Sequence, residues 1–307
     1  MSVTLVTPTR TKPFLKWVGG KTQIIEKVMS KFPTTMNSYH EPFVGGGSVL
    51  FALLDARANG DIMVNGSINA YDANPLLIEV YQQIQTNKDR LFAAISRYMV
   101  VYAGITGTEI NRVPKNMEEA MTSQESYYYW MRTKFNDSAT PPTERAALFM
   151  VLNKTGFRGM YREGPNGFNI PFGHYKRTPQ VTTKDSLDAV SALIADVEFK
   201  VCDFGDAFIA MRSGDFVYAD PPYAPETAKS FVGYTADGFG LETHERLFGC
   251  LLGLGEKNIS FVMSNARVDM VVDKFVGCDI DTVVARRAIN SKNPGATTEE
   301  VLVYVGC

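Results

Sequence analysis

The chain has 307 residues, 45% of them hydrophobic, and carries 31 Lys and Arg against 33 Asp and Glu. That length buries a substantial core in one large or two smaller domains, and a net charge of -2 excludes bulk attraction to nucleic acid or anionic membrane. Any DNA contact must come from a local basic patch.

Cys202, Cys250, Cys278 and Cys307 are widely spaced, with three histidines in the chain, so neither a metal site nor a disulfide framework is expected. "MSVTLVTPTRTK" lacks a secretory apolar region, and no run approaches the ~18 apolar residues of a membrane span. The expectation is a soluble, intracellular protein without membrane partners, in the cytoplasm or, in a eukaryotic host, the nucleus. Asn65-Gly66-Ser67 matches a glycosylation sequon and reads here as a turn.

In chain order, "EPFVGGGSVLFALLDA" reads as a short strand into Phe43, a glycine turn and a helix. "SINAYDANPLLIEVYQQI" reads as a strand ending near Asp72 and a helix opening near Pro75. From Lys88 to Asn153 the pattern is helical, with "MEEAMTSQESYYYWMRTKFN" as one helix and "PPTERAALFMVLNK" as another opening on proline. "TGFRGMYREGPNGFNIPFGHYKRTP" then breaks into a loop or hairpin dense in Gly, Pro, aromatics and bases. Strand patterns return at "VEFKV", "DFVYA", "NISFVMS", "DIDTVVA" and "EVLVYV", with "HERLFGCLLGLGE" helical. The fold expected is an α/β sheet domain made from both ends of the chain with a mostly helical insertion between them.

In "VYADPPYAP" an apolar run ends in a carboxylate, two prolines and a tyrosine. The prolines stop the strand because they lack an N–H and restrict the preceding residue, so Asp220 stands at a strand end. Acid, stiffened backbone and ring in sequence suit a clamp for a flat polar group, or a plain turn. The turn Gly45, Gly46, Gly47 lies between strand and helix, where a ligand can approach the main chain. It is neither a phosphate loop nor a complete dinucleotide turn: Gly19-Gly20-Lys21-Thr22 has Leu15 where a phosphate loop has glycine, and Leu50 stands where the dinucleotide fingerprint needs a small residue. Asp72, closing the next strand, is placed to accept ribose hydroxyls, and a nucleoside without pyrophosphate, such as S-adenosylmethionine, suits that pair of features.

The ordered blocks "PFLKWVGGK", "EPFVGGGSVLF" and "DPPY", with "TGFRGMYREGPNGFNIPFGHYKRTP" in a long insert and "SFVGYTADGF" after the last block, resemble the Dam-type DNA adenine-N6 methyltransferases (D12 class, alpha group). The likeness spans nearly the whole chain. It implies a Rossmann-like class I methyltransferase sheet with helices on both faces, plus a helical target-recognition insertion carrying a β-hairpin loop. The division expected is 1–87 and 196–307 for the catalytic, cofactor-binding domain and 88–195 for the insertion. The resemblance further implies that Trp17 and Lys21 contact S-adenosylmethionine and that Glu41, Pro42, Phe43, Gly45, Gly46, Gly47 and Ser48 hold its methionine end. Asp72 would bind its ribose, Asp203 its adenine amino group, with Phe204 beside that ring. The plain alternatives are a core aromatic for Trp17, a solvated charge for Lys21 and a helix cap for Asp203.

The chemistry accounts for the clamp. The N6 lone pair of adenine is delocalised into the ring until hydrogen bonds at its protons draw the amine towards tetrahedral geometry. Asp220 can accept one such bond and the Pro221 carbonyl the other, Pro222 stiffens the turn, and Tyr223 can stack on the base. The base must first leave the duplex. Between residues 153 and 178, Lys154, Arg158, Arg162, Lys176 and Arg177 stand against Glu163, a local charge of +4. Phe157, Met160, Tyr161, Phe168 and Phe172 are interleaved there, able to wedge into the stack or to pack a hairpin. Where the family usually has Asn before Gly, this chain has Arg158, and Met160 replaces the usual Leu. Arg162 matches the family arginine that reads guanine. "RRAINSKNPGATTEE" also departs from the usual basic stretch. The expected target is a GATC-like palindrome in double-stranded DNA, with CATG or another central-AT site as the alternative, methylated by a monomer (a dimer is the alternative). Methylation of RNA adenine, cytosine N4 or a protein amide, and an inactive DNA-binding relative, are the rival readings.

Overall fold

The computed structural model describes residues 10–225, 239–286 and 297–306. Most of "SFVGYTADGF", the 287–296 part of "RRAINSKNPGATTEE" and Cys307 lie outside the described residues.

The elements are, in order, α1 (Ile25–Met29), β1 (Thr35–Met36), β2 (Tyr39–Glu41), α2 (Ser48–Asn59), β3 (Met63–Val64), β4 (Ile68–Asp72) and α3 (Pro75–Gly104). Next come α4 (Met117–Ala120), α5 (Gln124–Phe135), α6 (Pro142–Thr155), the short strands β5 (Glu163–Gly164) and β6 (Gly167–Phe168), and α7 (Lys184–Leu193). Then follow β7 (Val197–Val201), α8 (Phe204–Ile209), β8 (Phe216–Ala219), α9 (Leu241–Glu256), β9 (Ser260–Ala266), α10 (Asp269–Val272), β10 (Asp279–Arg286) and β11 (Thr297–Val305).

Seven strands form the main sheet in the order β10-β11-β9-β8-β2-β4-β7. β7, β4, β2, β8 and β9 run parallel, while β11 is antiparallel to both β9 and β10. Alternate side chains of β8 feed two apolar layers. Phe216 and Tyr218 join the core under α2 and α3, and Val217 and Ala219 join the core under α8 and α9. A strand buried on both faces reads as an unbroken apolar run, as "FVYA" does. The sheet is Rossmann-like, with helices on both faces. The chain leaves β2 for β4 and β7 on one side and returns to β8 on the other, which makes the β2/β8 boundary the switch point where open α/β sheets bind ligands.

Local chemistry sets the entries to the helices. Asn74 accepts from the N–H groups of Leu76 and Leu77 with Pro75 next in line, so α3 starts where the sequence places it. The single helix expected over "MEEAMTSQESYYYWMRTKFN" is instead two, α4 and α5. Ser123 is extended (φ -162°) and caps Ser126 N–H, so the chain leaves helical geometry between them. Asn87 inside α3 is also non-helical, which kinks that helix at the expected edge of the insertion. One apolar cluster nevertheless runs from Phe14 through Leu148 of α6 to Leu302 of β11, so the insertion and the sheet share a core.

Candidate active site

Four acids expected in the site come to the carboxyl edge of the sheet: Glu41 closes β2, Asp72 closes β4, Asp203 follows β7 and Asp220 follows β8. Between the first two lies the glycine turn, with Gly45 and Gly47 at φ +49° and +74°. Its glycines are required by close neighbours. A Cβ on Gly46 would meet Trp17 Cβ at 2.9 Å, and one on Gly47 would meet the Tyr81 hydroxyl at 2.6 Å. Pro42 and Phe43 lead into this turn and Ser48 opens α2, its hydroxyl accepting from Lys21 N–H at 3.1 Å.

Asp72 is fixed by two backbone donors, Gly45 N–H on Oδ2 (3.1 Å) and Asn74 N–H on Oδ1 (2.9 Å). Burial outweighs those bonds and pushes its carboxyl up to about 6. Trp17 lies on the glycine turn and packs between Phe149 of α6 (6.1 Å, stacked) and Tyr161 of the recognition loop (5.6 Å). It is therefore both a packed aromatic and a wall of the turn. Tyr161 donates to Glu163 and also bonds towards Asn74, so it faces the Asp72 edge rather than standing out as a wedge.

Lys21 is not a solvated charge. It is 3% exposed, and its Nζ donates to Gly19 O and Asp220 Oδ2, both at 2.6 Å. Burial raises the Asp220 carboxyl to about 6 against the pull of Lys21, with Glu300 adding to the rise. Glu41 lies deeper still, accepting from the Tyr39 hydroxyl at 2.7 Å, and burial holds its carboxyl well above the usual range.

After Asp220, Pro221 and Pro222 carry the chain to Tyr223, whose hydroxyl donates to Glu300 Oε2 at 2.8 Å. Lys21 Nζ sits 5.1 Å from the Tyr223 ring. Asn265 of β9 accepts from Ala224 N–H at 2.9 Å, and His244 of α9 lies 3.1 Å from the Pro222 carbonyl. Asp203 does cap a helix, accepting from Gly205 N–H at 2.8 Å, and it also holds a bidentate pair with Arg246 (2.6 and 2.9 Å). That guanidinium stacks over Phe204, which packs with Phe43 and Phe239.

The residues expected to bind DNA separate into two groups. Arg158, Arg162, Lys176 and Arg177 are exposed, as is Phe157 at 44%, while Lys154 is half-buried and lowered to about 8 by burial. Met160, Tyr161 and Phe172 pack against the core and Phe168 is buried in it, holding the β5–β6 hairpin. Arg162 Nε donates to Asn169 Oδ1 at 2.6 Å. Arg158 has φ +57°, left-handed geometry that Asn adopts more readily than Arg.

Several site residues were not visible in the sequence. Asn153 of α6 brackets Lys16, accepting its N–H and donating to its carbonyl, both at 2.8 Å, and donates also to Gly159 O. It thereby ties the segment holding Trp17 to the recognition loop. Glu300, Arg246 and His244 reach the site from the last third of the chain, and only Glu300 left a trace, as an acid at the start of the apolar run in "EEVLVYV".

Residues 17–289 match the family model for D12 class N6 adenine-specific DNA methyltransferases. The chain is 30% identical over 304 residues to the type II methyltransferase M1.LlaDCHI of Lactococcus lactis subsp. cremoris, covering 96% of each. It is 33% identical over 291 residues to M.MjaIII of Methanocaldococcus jannaschii (92% of this chain, 93% of that one). With the DNA adenine methylase of Haemophilus influenzae the identity is 31% over 289 residues (92% and 89%). The chain belongs to the D12 class of N6 adenine-specific DNA methyltransferases. It is accordingly an enzyme that acts on adenine in DNA at specific sites and takes its methyl group from S-adenosylmethionine.

Proposed function

We propose that the enzyme methylates N6 of an adenine flipped out of a short central-AT duplex site, with Asp220, Pro221, Pro222 and Tyr223 as the clamp. Residues 88–195 read the target, and 1–87 with 196–307 hold the cofactor. The observation that carries this reading is Asp220 half-buried at the switch point of the sheet, with Tyr223 beside it and the glycine turn opposite.

The residues present fit S-adenosylmethionine. Each Asp72 oxygen accepts one backbone N–H, which leaves a lone pair on both for vicinal ribose hydroxyls. Phe43, Phe204 and Phe239 offer an aromatic wall beside Asp203, where Oδ2 accepts a single bond and has capacity for a purine amino group. Asp220 and Glu300 against Lys21 leave no excess positive charge to repel a sulfonium. When bound, the cofactor supplies a methyl group already carried on a sulfonium sulfur, so the chain needs no nucleophile of its own.

The rest falls to side chains. Lys21 holds Asp220 Oδ2 and turns Oδ1 to the amine. Oδ1 accepts one N6–H and the Pro221 carbonyl the other, which frees the nitrogen lone pair from the ring. The ionised carboxylate also stabilises the positive charge that develops on N6 as its new bond forms, and it accepts the proton that must leave. Tyr223 stacks on the base, and His244, against the Pro222 carbonyl, steadies the turn. Holding both partners in line supplies most of the rate.

Arg162 reads a base edge, while Lys154, Arg158, Lys176 and Arg177 neutralise phosphates, and exposed Phe157 replaces the buried aromatics as the candidate wedge. The target is a palindrome such as GATC or CATG, methylated one strand at a time by a monomer inside the cell. Among the described residues no helix is long and apolar enough to cross a membrane. Modification-sensitive sequencing of unmethylated genomic DNA exposed to the enzyme tests this proposal. Methylated adenine confined to one short palindrome is the expected result; adenine methylated without sequence preference would overturn the assignment of Arg162.

A further inference from the structure

We infer that Glu300 is a positioning residue for methyl transfer, fixing the place of the Tyr223 ring on which the target base stacks. This rests on the proposed stacking role of Tyr223 and adds to it the group that makes the ring rigid.

The clamp backbone is already held, by two prolines, by His244 on the Pro222 carbonyl and by Asn265 on Ala224 N–H. None of these restrains the swing of the Tyr223 ring about its Cα–Cβ bond. Among the described residues the hydrogen bond that holds the ring is made by its hydroxyl, which donates to Glu300 Oε2 at 2.8 Å. A bond to a carboxylate is the strong, directional kind.

The position of Glu300 is hard to explain otherwise. It lies on β11 opposite Ala266 of β9, one residue along from the Asn265 that holds Ala224, so two adjacent strands anchor the backbone and the ring of one turn. Leu302, on the same face of β11, is fully buried in the core shared with Tyr218. A carboxylate in that row needs a donor, and Tyr223 provides it. Lys21 approaches the same ring from another side, 5.1 Å from its centre, so the ring lies between an ammonium and a carboxylate. A free ring would allow the flipped base to tilt away from Asp220, and ~1 Å of misplacement at a reacting centre costs on the order of 100-fold in rate.

The test uses the full-length enzyme on a duplex carrying its own site, with 2-aminopurine at the target position in a parallel set. Glu300→Ala and Tyr223→Phe break the link from opposite ends, the second keeping the ring; Glu300→Gln keeps an acceptor oxygen, and Tyr223→Ala removes the ring. Expected are a kcat about 10- to 100-fold lower for Glu300→Ala and Tyr223→Phe, with KM for the cofactor unchanged. The double variant should be no worse than either single one, and Glu300→Gln should stay within about threefold of wild type. The flipped 2-aminopurine should be brighter in Glu300→Ala than in wild type, because a ring that swings away quenches it less. If Glu300→Ala fails to fold, Tyr223→Phe carries the kinetic test. Wild-type kcat and emission in Glu300→Ala or Tyr223→Phe, alongside loss in Tyr223→Ala, would overturn the inference alone. Wild-type behaviour of Tyr223→Ala would remove the stacking role itself, and the inference with it.

Discussion

Replacing Asp72 by Asn separates two effects that the structure sets against each other. The carboxyl is raised from an ordinary 3.8 to about 6 by burial, and that difference corresponds to about 3 kcal/mol of cost for the charged form in the folded state. Because the folded value lies above the unfolded one, this cost is absent below 3.8, grows as pH rises and is complete above 6. Asparagine avoids it at every pH. In exchange, Asn turns an amide NH2 towards Gly45 N–H or Asn74 N–H, leaving one donor unsatisfied at a cost of roughly 1–3 kcal/mol. The variant should therefore be less stable than wild type at low pH and nearly equal to it, or slightly more stable, at pH 8. The gap between the two should change by roughly 1 kcal/mol from pH 5 to pH 8, whatever the hydrogen bond is worth. Urea unfolding of both proteins at the two pH values measures it. Calorimetry at pH 8 should show cofactor affinity at least about tenfold weaker in the variant, for want of a carboxylate acceptor. A stability gap that is the same at both pH values would refute the argument that burial of the charge dominates at this position.

Other outcomes follow from the same geometry. With Asp220 held at about 6, kcat/KM should rise with pH up to that value and level off above it; Glu300→Gln removes a charge that pushes Asp220 up, so the limb should move to lower pH, as a pH–rate series would show. Arg158→Asn should raise stability by about 0.5–1 kcal/mol in denaturant unfolding, because Asn accepts the left-handed backbone that Arg158 adopts at φ +57°. Arg162→Ala should cost about 1–3 kcal/mol of discrimination at one base pair, whereas Lys176→Ala should weaken binding to all sequences and reduce the salt slope by about one. Binding titrations at several salt concentrations, on cognate and single-mismatch duplexes, distinguish the two.

Where a feature is built from contiguous residues, its place in the fold is legible in the sequence. The glycine turn, Asp72 at a strand end and the acid–proline–aromatic turn after β8 each depend on local backbone rules, and each stands at the carboxyl edge of the sheet as those rules require. The break between α4 and α5 was missed because apolar periodicity continues across Ser123 while its side chain caps the second helix. Glu300 could not be assigned because its partner lies 77 residues away and meets it only through the register of β11 on β9. Tyr161 and Phe168 read equally as wedges or as packing, and long-range contacts with Trp17, Phe149 and Phe135 decide for packing. Asp203 serves as a cap and as the partner of Arg246, and no sequence pattern linked those two positions across 43 residues.

The most direct test of the account is nucleoside analysis of unmethylated DNA after incubation with S-adenosylmethionine and either the wild-type enzyme or Asp220→Ala. The account predicts N6-methyladenine from the wild type and none from the variant, with cofactor binding retained in both. N6-methyladenine formed at the wild-type rate by Asp220→Ala, or methyl groups found on cytosine, would contradict it.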